Sequence, residues 1–219
     1  VLPVTAAGSY RVLLADPSET WPSVFVGGTT ATDFAVSAGT VAVGTIDIST
    51  GEPHVSPPVL GTTTRVSLGV GGAEISDGDA QDPAISADGT VVAFASHASD
   101  VVVGDANHTD DVFVHDRATG VTSRVSVASD GTEADLWSLD PALSADGRFV
   151  AFWSGASNLV AGDTNGSFDV FVHDRSTGVT SRASVASGGA QADGYSARPA
   201  ISADGRFVTF DSGAPNLVA

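Results

Sequence analysis

Two short acidic stretches hold the residues of this chain best suited to chemistry. One reads V-V-V-G-D-A-N-H-T-D-D-V-F and supplies Asp105, Asn107 and Asp111. The other reads L-V-A-G-D-T-N-G-S-F-D-V-F and supplies Asp163, Asn165 and Asp169. Oxygen side chains at the first, third and seventh places of a tight loop can converge on a hard cation such as calcium, backbone carbonyls and water completing roughly six to eight ligands. No distal bidentate Glu follows to close the set. The same side chains also form Asx turns, which order a loop through its own backbone. The spacing is compatible with a calcium site and with a self-capped loop.

Other candidates are weaker. His115–Asp116 and His173–Asp174 are adjacent pairs that could be fragments of a catalytic site. Both occur at one place in a repeated sequence, and an active site rarely recurs in every repeat, so a building role is expected. Arg117, Arg175, Arg124 and Arg182 recur too and are expected to pair with aspartates between strands. Trp137 and Tyr195 fall in connections between repeat units, where an aromatic could contact a ligand or pack locally. No G-x-S-x-G elbow, H-E-x-x-H, phosphate-binding loop or dinucleotide fingerprint is present. The chain is expected not to be an enzyme by itself.

The elements that must position these residues repeat with a fixed period. D-P-A-I-S-A-D-G-T-V-V-A-F at 82–94 returns from Asp140 and again, as R-P-A-I-S-A-D-G-R-F-V-T-F, from Arg198. D-V-F-V-H-D-R-A-T-G-V-T-S-R-V-S-V at 111–127 returns from Asp169. Asp88, Asp146 and Asp204 are each 58 residues apart. Such self-similarity marks a repeat architecture. Each unit yields four strands: P-A-I-S, the apolar run at 91–96 or 149–154, D-V-F-V-H-D, and V-T-S-R-V-S-V. An Asp-Gly turn joins the first two, and a loop closed by Gly120 or Gly178 joins the last two. Phe94, Phe113, Phe152, Phe171 and Phe210 recur at alternating strand positions and are expected to form the core between units. Four-stranded units repeating around a centre predict an all-β protein of β-propeller blades.

I-S-A-D-G-R-F-V-A-F followed by D-V-F-V-H-D-R-S-T-G-V-T-S-R resembles the WD40-like repeat of TolB-type β-propellers. That family carries Ser-Pro-Asp-Gly before an apolar strand, where this chain has Ala87, Ala145 and Ala203. The resemblance covers roughly 62–219 and implies protein-interaction modules, or gates attached to peptidases. T-T-T-R-V-S-L at 62–68 matches the fourth strand without three strands before it, and is a candidate closing strand. Two complete blades with fragments fall short of the ~4 needed for a ring. Either further blades lie outside this sequence, or a neighbouring copy supplies strands.

Residues 1–60 lie outside the repeat. Y-R-V, V-F-V and the two runs within 33–48 alternate as strands, and 49–61, with three prolines, reads as a linker. The order Y-R-V, D-P-S, G-G-T-T and V-S-A-G-T-V-A-V-G-T-I-D-I resembles the later part of a carboxypeptidase-regulatory-like, prealbumin-type sandwich, which implies a non-catalytic spacer. The expected organisation is thus a partial β-sandwich spacer and linker over 1–60 and propeller blades over 61–219.

Composition bounds the partners. Twenty-six acidic residues against nine arginines and no lysine give a formal charge of −17. That surface repels phosphate backbones, so nucleic acid is an unsuitable partner. Cysteine is absent, which removes disulfides and thiolate metal sites. No apolar run approaches the ~20 residues that cross a bilayer, so no membrane insertion is expected. There is no initiator Met or signal peptide at Val1, and the sequence ends in mid-repeat, so it reads as a mature or trimmed fragment. The expected protein is a secreted or cell-surface bacterial binding or structural protein, its blades contacting protein or glycan and calcium stiffening its loops. Two alternatives stand beside it: a filament or surface-layer subunit completed by strands of a neighbouring copy, and the propeller part of a larger hydrolase. Solution size discriminates the first; the sequence beyond this chain discriminates the second.

Overall fold

The computed structural model describes residues 63–218 and four short strands before them. The chain divides into two compact units, 1–64 and 65–219. In the first, β1 (Tyr10–Val12) pairs antiparallel with β2 (Phe25–Gly27), and β3 (Ile46–Asp47) with β4 (His54–Val55). The β4 strand falls inside the stretch read as a linker, so part of that stretch is paired backbone. The remainder of the expected sandwich lies outside the described residues.

The second unit is all-β, with a single short 3₁₀ turn at Val70–Gly72. Its first blade is the antiparallel meander β5 (Ala80–Ile85), β6 (Val91–Ser96), β7 (Asp111–Asp116) and β8 (Val121–Arg124). The second is β9 (Ser138–Leu143), β10 (Phe149–Ser154), β11 (Asp169–Asp174) and β12 (Val179–Arg182). A third begins with β13 (Ser196–Ile201) and β14 (Val208–Ser212). First strands extend further back than P-A-I-S, and fourth strands stop at the arginine rather than running on through V-S-V.

The central strands explain the packing. V-V-A-F-A-S in β6 is buried at every position, because neighbouring layers cover both its faces. Val91, Ala93, Val112, Val114 and Val125 of the first blade pack with Val150, Phe152, Leu159 and Phe171 in one cluster that spans both blades. Phe94, Phe113, Phe152 and Phe171 are essentially inaccessible, and they face one another across strands as Phe94–Phe113 and Phe152–Phe171. Phe210 in the two-stranded third blade is only half-buried.

Blade-to-blade register is fixed at the Asp-Gly turns. Gly89, Gly147 and Gly205 adopt φ of 71°, 67° and 72°, the region glycine enters without strain. Gly147 also abuts Val91 of the preceding blade: a Cβ there would lie 2.7 Å from the Val91 side chain. Gly205 meets Phe149 in the same way. In each turn the serine hydroxyl donates to the aspartate, Ser144 Oγ to Asp146 at 2.6 Å, while the Phe149 amide donates back to Ser144 Oγ at 2.9 Å. The alanine between them has its own task. The Ala87 amide donates to the Ala145 carbonyl, and the Ala145 amide to Ala203, both at 2.9 Å. Proline, which lacks that donor, would break this chain of inter-blade bonds.

Candidate functional site

Both acidic loops close around an arginine from the fourth strand of their own blade. In the first, the Arg124 guanidinium lies 3.2 Å from Asp105 (Nη2–Oδ2) and 3.2 Å from Asp111 (Nε–Oδ2), and its Nη1 bonds Glu133. In the second, Arg182 lies 3.1 Å from Asp163 and 3.7 Å from Asp169, and donates to Gln191 Oε1 at 2.5 Å. The ladder dictates this meeting. Arg124 stands opposite Phe113 and Arg182 opposite Phe171, so each reaches the aspartate at the start of the third strand.

The asparagines act as straps. Asn107 Nδ2 donates to Asp111 at 3.1 Å and to the Ala134 carbonyl at 2.8 Å, while its Oδ1 accepts the Thr109 amide at 2.9 Å. Asn165 repeats all three bonds with Asp169, Ala192 and Ser167. Ser126 and Ser184 each donate to the strand-opening aspartate at 2.5 Å. Sequence reasoning placed Asp105, Asn107, Asp111, Asp163, Asn165 and Asp169 together, and the structure brings each trio together. The expected pairing of Arg124 and Arg182 with aspartates is also found, but their place inside these two loops was missed, as were Glu133, Gln191, Ser126 and Ser184. The signal was present as R-V-S-V-A-S-D-G-T-E at 124–133, where Arg, Ser and Glu share one short stretch.

Burial sets the electrostatics. Asp111 is inaccessible, and desolvation pushes its carboxyl up to about 7 against the opposing pull of the Ser126 hydroxyl and Arg124. Desolvation likewise raises Asp105 and Asp163, each countered by its arginine. The turn aspartates go the other way. Hydrogen bonds from the Thr90 amide and the Ser86 hydroxyl hold Asp88 down to about 2, and the Arg148 guanidinium, donating at 2.8 and 2.7 Å, holds Asp174 far below the usual carboxylate range.

The two loops differ as cation sites. Asp105, Asp111 and Glu133 can bring one oxygen each within 4.8 Å of the others. Gln191 stands where Glu133 would be, leaving the second loop two carboxylates. In the first loop both Asp105 oxygens are buried without an aligned hydrogen bond, although Arg124 is within ion-pairing distance. The donor set fits calcium only if Arg124 leaves the centre.

The histidine pairs are organised for packing. His115 Nδ1 bonds Thr122 Oγ1 at 3.0 Å, and His173 Nδ1 bonds Thr180 Oγ1 at 2.9 Å; burial lowers the His173 pKa. Arg117 and Arg175 differ from expectation: they donate to the Gly89 and Gly147 carbonyls at 2.6 and 2.7 Å rather than pairing with aspartates, which pins the Asp-Gly turns.

Trp137 and Tyr195 occupy equivalent places at the entrances to β9 and β13, and both remain about half exposed. Trp137 stacks on Phe168 with centroids 6.2 Å apart, and Trp153 meets Phe168 edge-on at 4.9 Å while its Nε1 donates to Asp140 at 2.6 Å. Tyr195 lies over Gly213. The matching place in the first blade is polar: Asp79, His97 and Asp110, with His97 Nδ1 3.4 and 3.8 Å from the two carboxylates. One locus thus changes chemistry from blade to blade while the scaffold beneath it repeats.

No protein-family model matches the chain, and no curated protein sequence matches it. Among solved structures it is similar to TolB from Acinetobacter baumannii, with 21% identity, a TM-score of 0.39, and coverage of 75% of this chain and 30% of that one. A putative TolB from Agrobacterium tumefaciens gives 16% identity, a TM-score of 0.41, and coverage of 65% and 42%. A structure described under two prolyl endopeptidases gives 17% identity, a TM-score of 0.38, and coverage of 62% and 18%. The chain spans less than half the length of each. The blade assignment therefore stands on the strand order, the register and the inter-blade core described above.

Proposed function

We propose that this chain is a non-enzymatic binding or structural protein of the bacterial exterior, secreted or at the cell surface, whose blade ends contact protein or glycan. The observation that carries this reading is the locus of Trp137 and Tyr195. Exposed aromatics recur there on successive blades, held from below by Phe168 and Gly213. A rigid, half-exposed indole offers a face for sugar rings or apolar side chains at little entropic cost. The charge of −17 favours basic or neutral partners over nucleic acid. Among the described residues no helix is long and apolar enough to cross a membrane.

Calcium enters as a competitor of the loop arginines. It would take Asp105, Asp111 and Glu133, and the first loop suits it better than the second. The arrangement supports arginine as the resident cation in both.

Ligand capture tests the contact surface. The wild-type chain and a Trp137→Ala/Tyr195→Ala variant are titrated with panels of soluble oligosaccharides and peptides, with binding followed calorimetrically and the fold checked by circular dichroism. Loss of binding in the variant at unchanged fold is expected; equal binding by both proteins places the contact elsewhere. The filament alternative draws on the open two-stranded third blade and requires assembly that grows with concentration. The hydrolase alternative requires a catalytic domain in the same polypeptide.

A further inference from the structure

The fourth strand of each complete blade is an edge strand, and its threonine, Thr122 or Thr180, turns a backbone N–H and C=O outward. The ladder dictates this. The Val125 amide donates to Val112 and the Ala183 amide to Val170, so His115–Thr122 and His173–Thr180 fall at non-hydrogen-bonded pairs. In the second blade the hairpin at 127–133 covers the outward groups. The Thr180 amide donates to Ser129 Oγ at 3.0 Å, Ser129 Oγ donates to the Thr180 carbonyl at 3.3 Å, and Thr180 Oγ1 donates to the Val127 carbonyl at 2.5 Å. One hydroxyl thus satisfies both backbone groups. The hairpin at 68–74 is its counterpart for the first blade: Leu68 bridges Glu74 as Val127 bridges Glu133. In the place of Ser129 it has Val70, which carries no hydroxyl. Among the described residues the Thr122 N–H and C=O have no hydrogen-bond partner, and Thr122 Oγ1 bonds only His115.

Between this hairpin and the first blade lies a cavity of about 500 Å³, lined by Val70, Val101, Val102 and Val103 together with His115 and Thr122. Gly69 keeps it open. The Val70 amide donates to the Asp100 carbonyl at 2.9 Å, and a Cβ on residue 69 would lie 2.7 Å from that oxygen. The second hairpin carries Ala128 there, which denies it the same approach. His115 is only 9% exposed, and its Nε2 has no hydrogen-bond partner among the described residues. The cavity has the size of a small-molecule site, and no carboxylate or guanidinium lines it. We infer that it binds a small neutral ligand carrying a hydroxyl on an aliphatic body. The ligand hydroxyl takes the part that Ser129 plays in the second blade: it accepts from the Thr122 N–H and donates to the Thr122 C=O, while the valines hold the apolar body. A carboxylate or ketone cannot do this, because neither donates to the carbonyl. The site shares no residue with Trp137 or Tyr195, so the inference is independent of what the blade ends contact.

The test titrates the isotopically labelled full chain with menthol, and with menthone, which keeps the carbon frame but lacks the hydroxyl. Amide NMR spectra are expected to show the Thr122 resonance moving with menthol at concentrations up to about 1 mM. Menthone is expected to bind at least about tenfold more weakly. Val70→Ser restores the serine of the second hairpin and should weaken menthol binding by a similar factor, because the chain then fills its own site. Val70→Trp should abolish binding by occupying the cavity. Val70 is exposed, so both variants are expected to keep the parent fold, which thermal melting checks. A Thr122 amide that does not respond to menthol overturns the inference. So does menthol binding that either variant leaves undiminished, which places the ligand elsewhere. Equal binding of menthol and menthone overturns it too, since the hydroxyl would then play no part.

Discussion

At the residue scale, the carboxylates divide into two classes of opposite pH behaviour. Asp111 has a folded pKa raised to about 7 by burial. Its contribution to stability is therefore complete below the unfolded value near ~4 and is lost as pH rises toward 7. Asp88 is held down to about 2 and Asp174 lower still, so their contributions are present above ~4 and vanish as pH falls. Urea denaturation across pH is expected to show stability rising as pH falls from 7 to about 4.5 and then dropping below about 4. Asp111→Asn is expected to flatten the first limb and leave the second unchanged. An unaltered slope between pH 4 and 7 would mean that Asp111 stays ionised in the fold. The Asp and Asn trios of these loops were legible from spacing alone. That Arg124 pairs with aspartates was legible too, but not which ones, because strand register, rather than local sequence, brings Arg124 across to residue 105.

At the scale of elements, two of the three Asp-Gly turns that look alike in sequence have different neighbours. Gly89 has only the ends of Arg117 and Ile85 nearby, at 3.7 and 3.9 Å, whereas Gly147 is pressed against Val91. Gly89→Ala should cost about 1 kcal/mol for its positive φ. Gly147→Ala should cost about 2–4 kcal/mol, since the clash with a packed side chain adds to the same strain. Chemical denaturation of the two variants checks the order; equal losses would mean that the blades do not meet at that turn. Ala145→Pro is expected to lose about 1–3 kcal/mol by removing the donor to Ala203. The sequence showed alanine where the resembling family has proline, but gave no reason. The reason is an inter-blade hydrogen bond, visible only once the blades are stacked. Four strands per unit, their order and both Gly-closed turns were readable because period-two patterning and turn glycines are local signals. The strand ends, and the exchange of carbonyl for carboxylate partners at Arg117 and Arg175, depend on pairing within each blade between strands distant in sequence.

At the scale of the whole molecule, stability comes from layers covering one another. Phe152 is fully buried in the cluster shared by the first two blades, and Phe152→Ala is expected to cost about 3–5 kcal/mol. Phe210, in a blade with two strands, is half-exposed and should cost less when truncated. Between the layers, the first and second blades each hold their acidic loop with their own arginine, and we propose that this guanidinium takes the place a cation would fill. The direct measurement is thermal melting of the wild-type chain and of Arg124→Ala, each with and without millimolar calcium. Removing a buried partner of three carboxylates should cost about 3–5 kcal/mol, lowering the midpoint by about 10 °C for a unit of this size. Calcium is expected to leave the wild-type midpoint in place and to restore part of the loss in Arg124→Ala, where the carboxylates stand uncompensated. A rise of several degrees in the wild type on adding calcium would contradict it, because an ion that binds only the folded state must stabilise it.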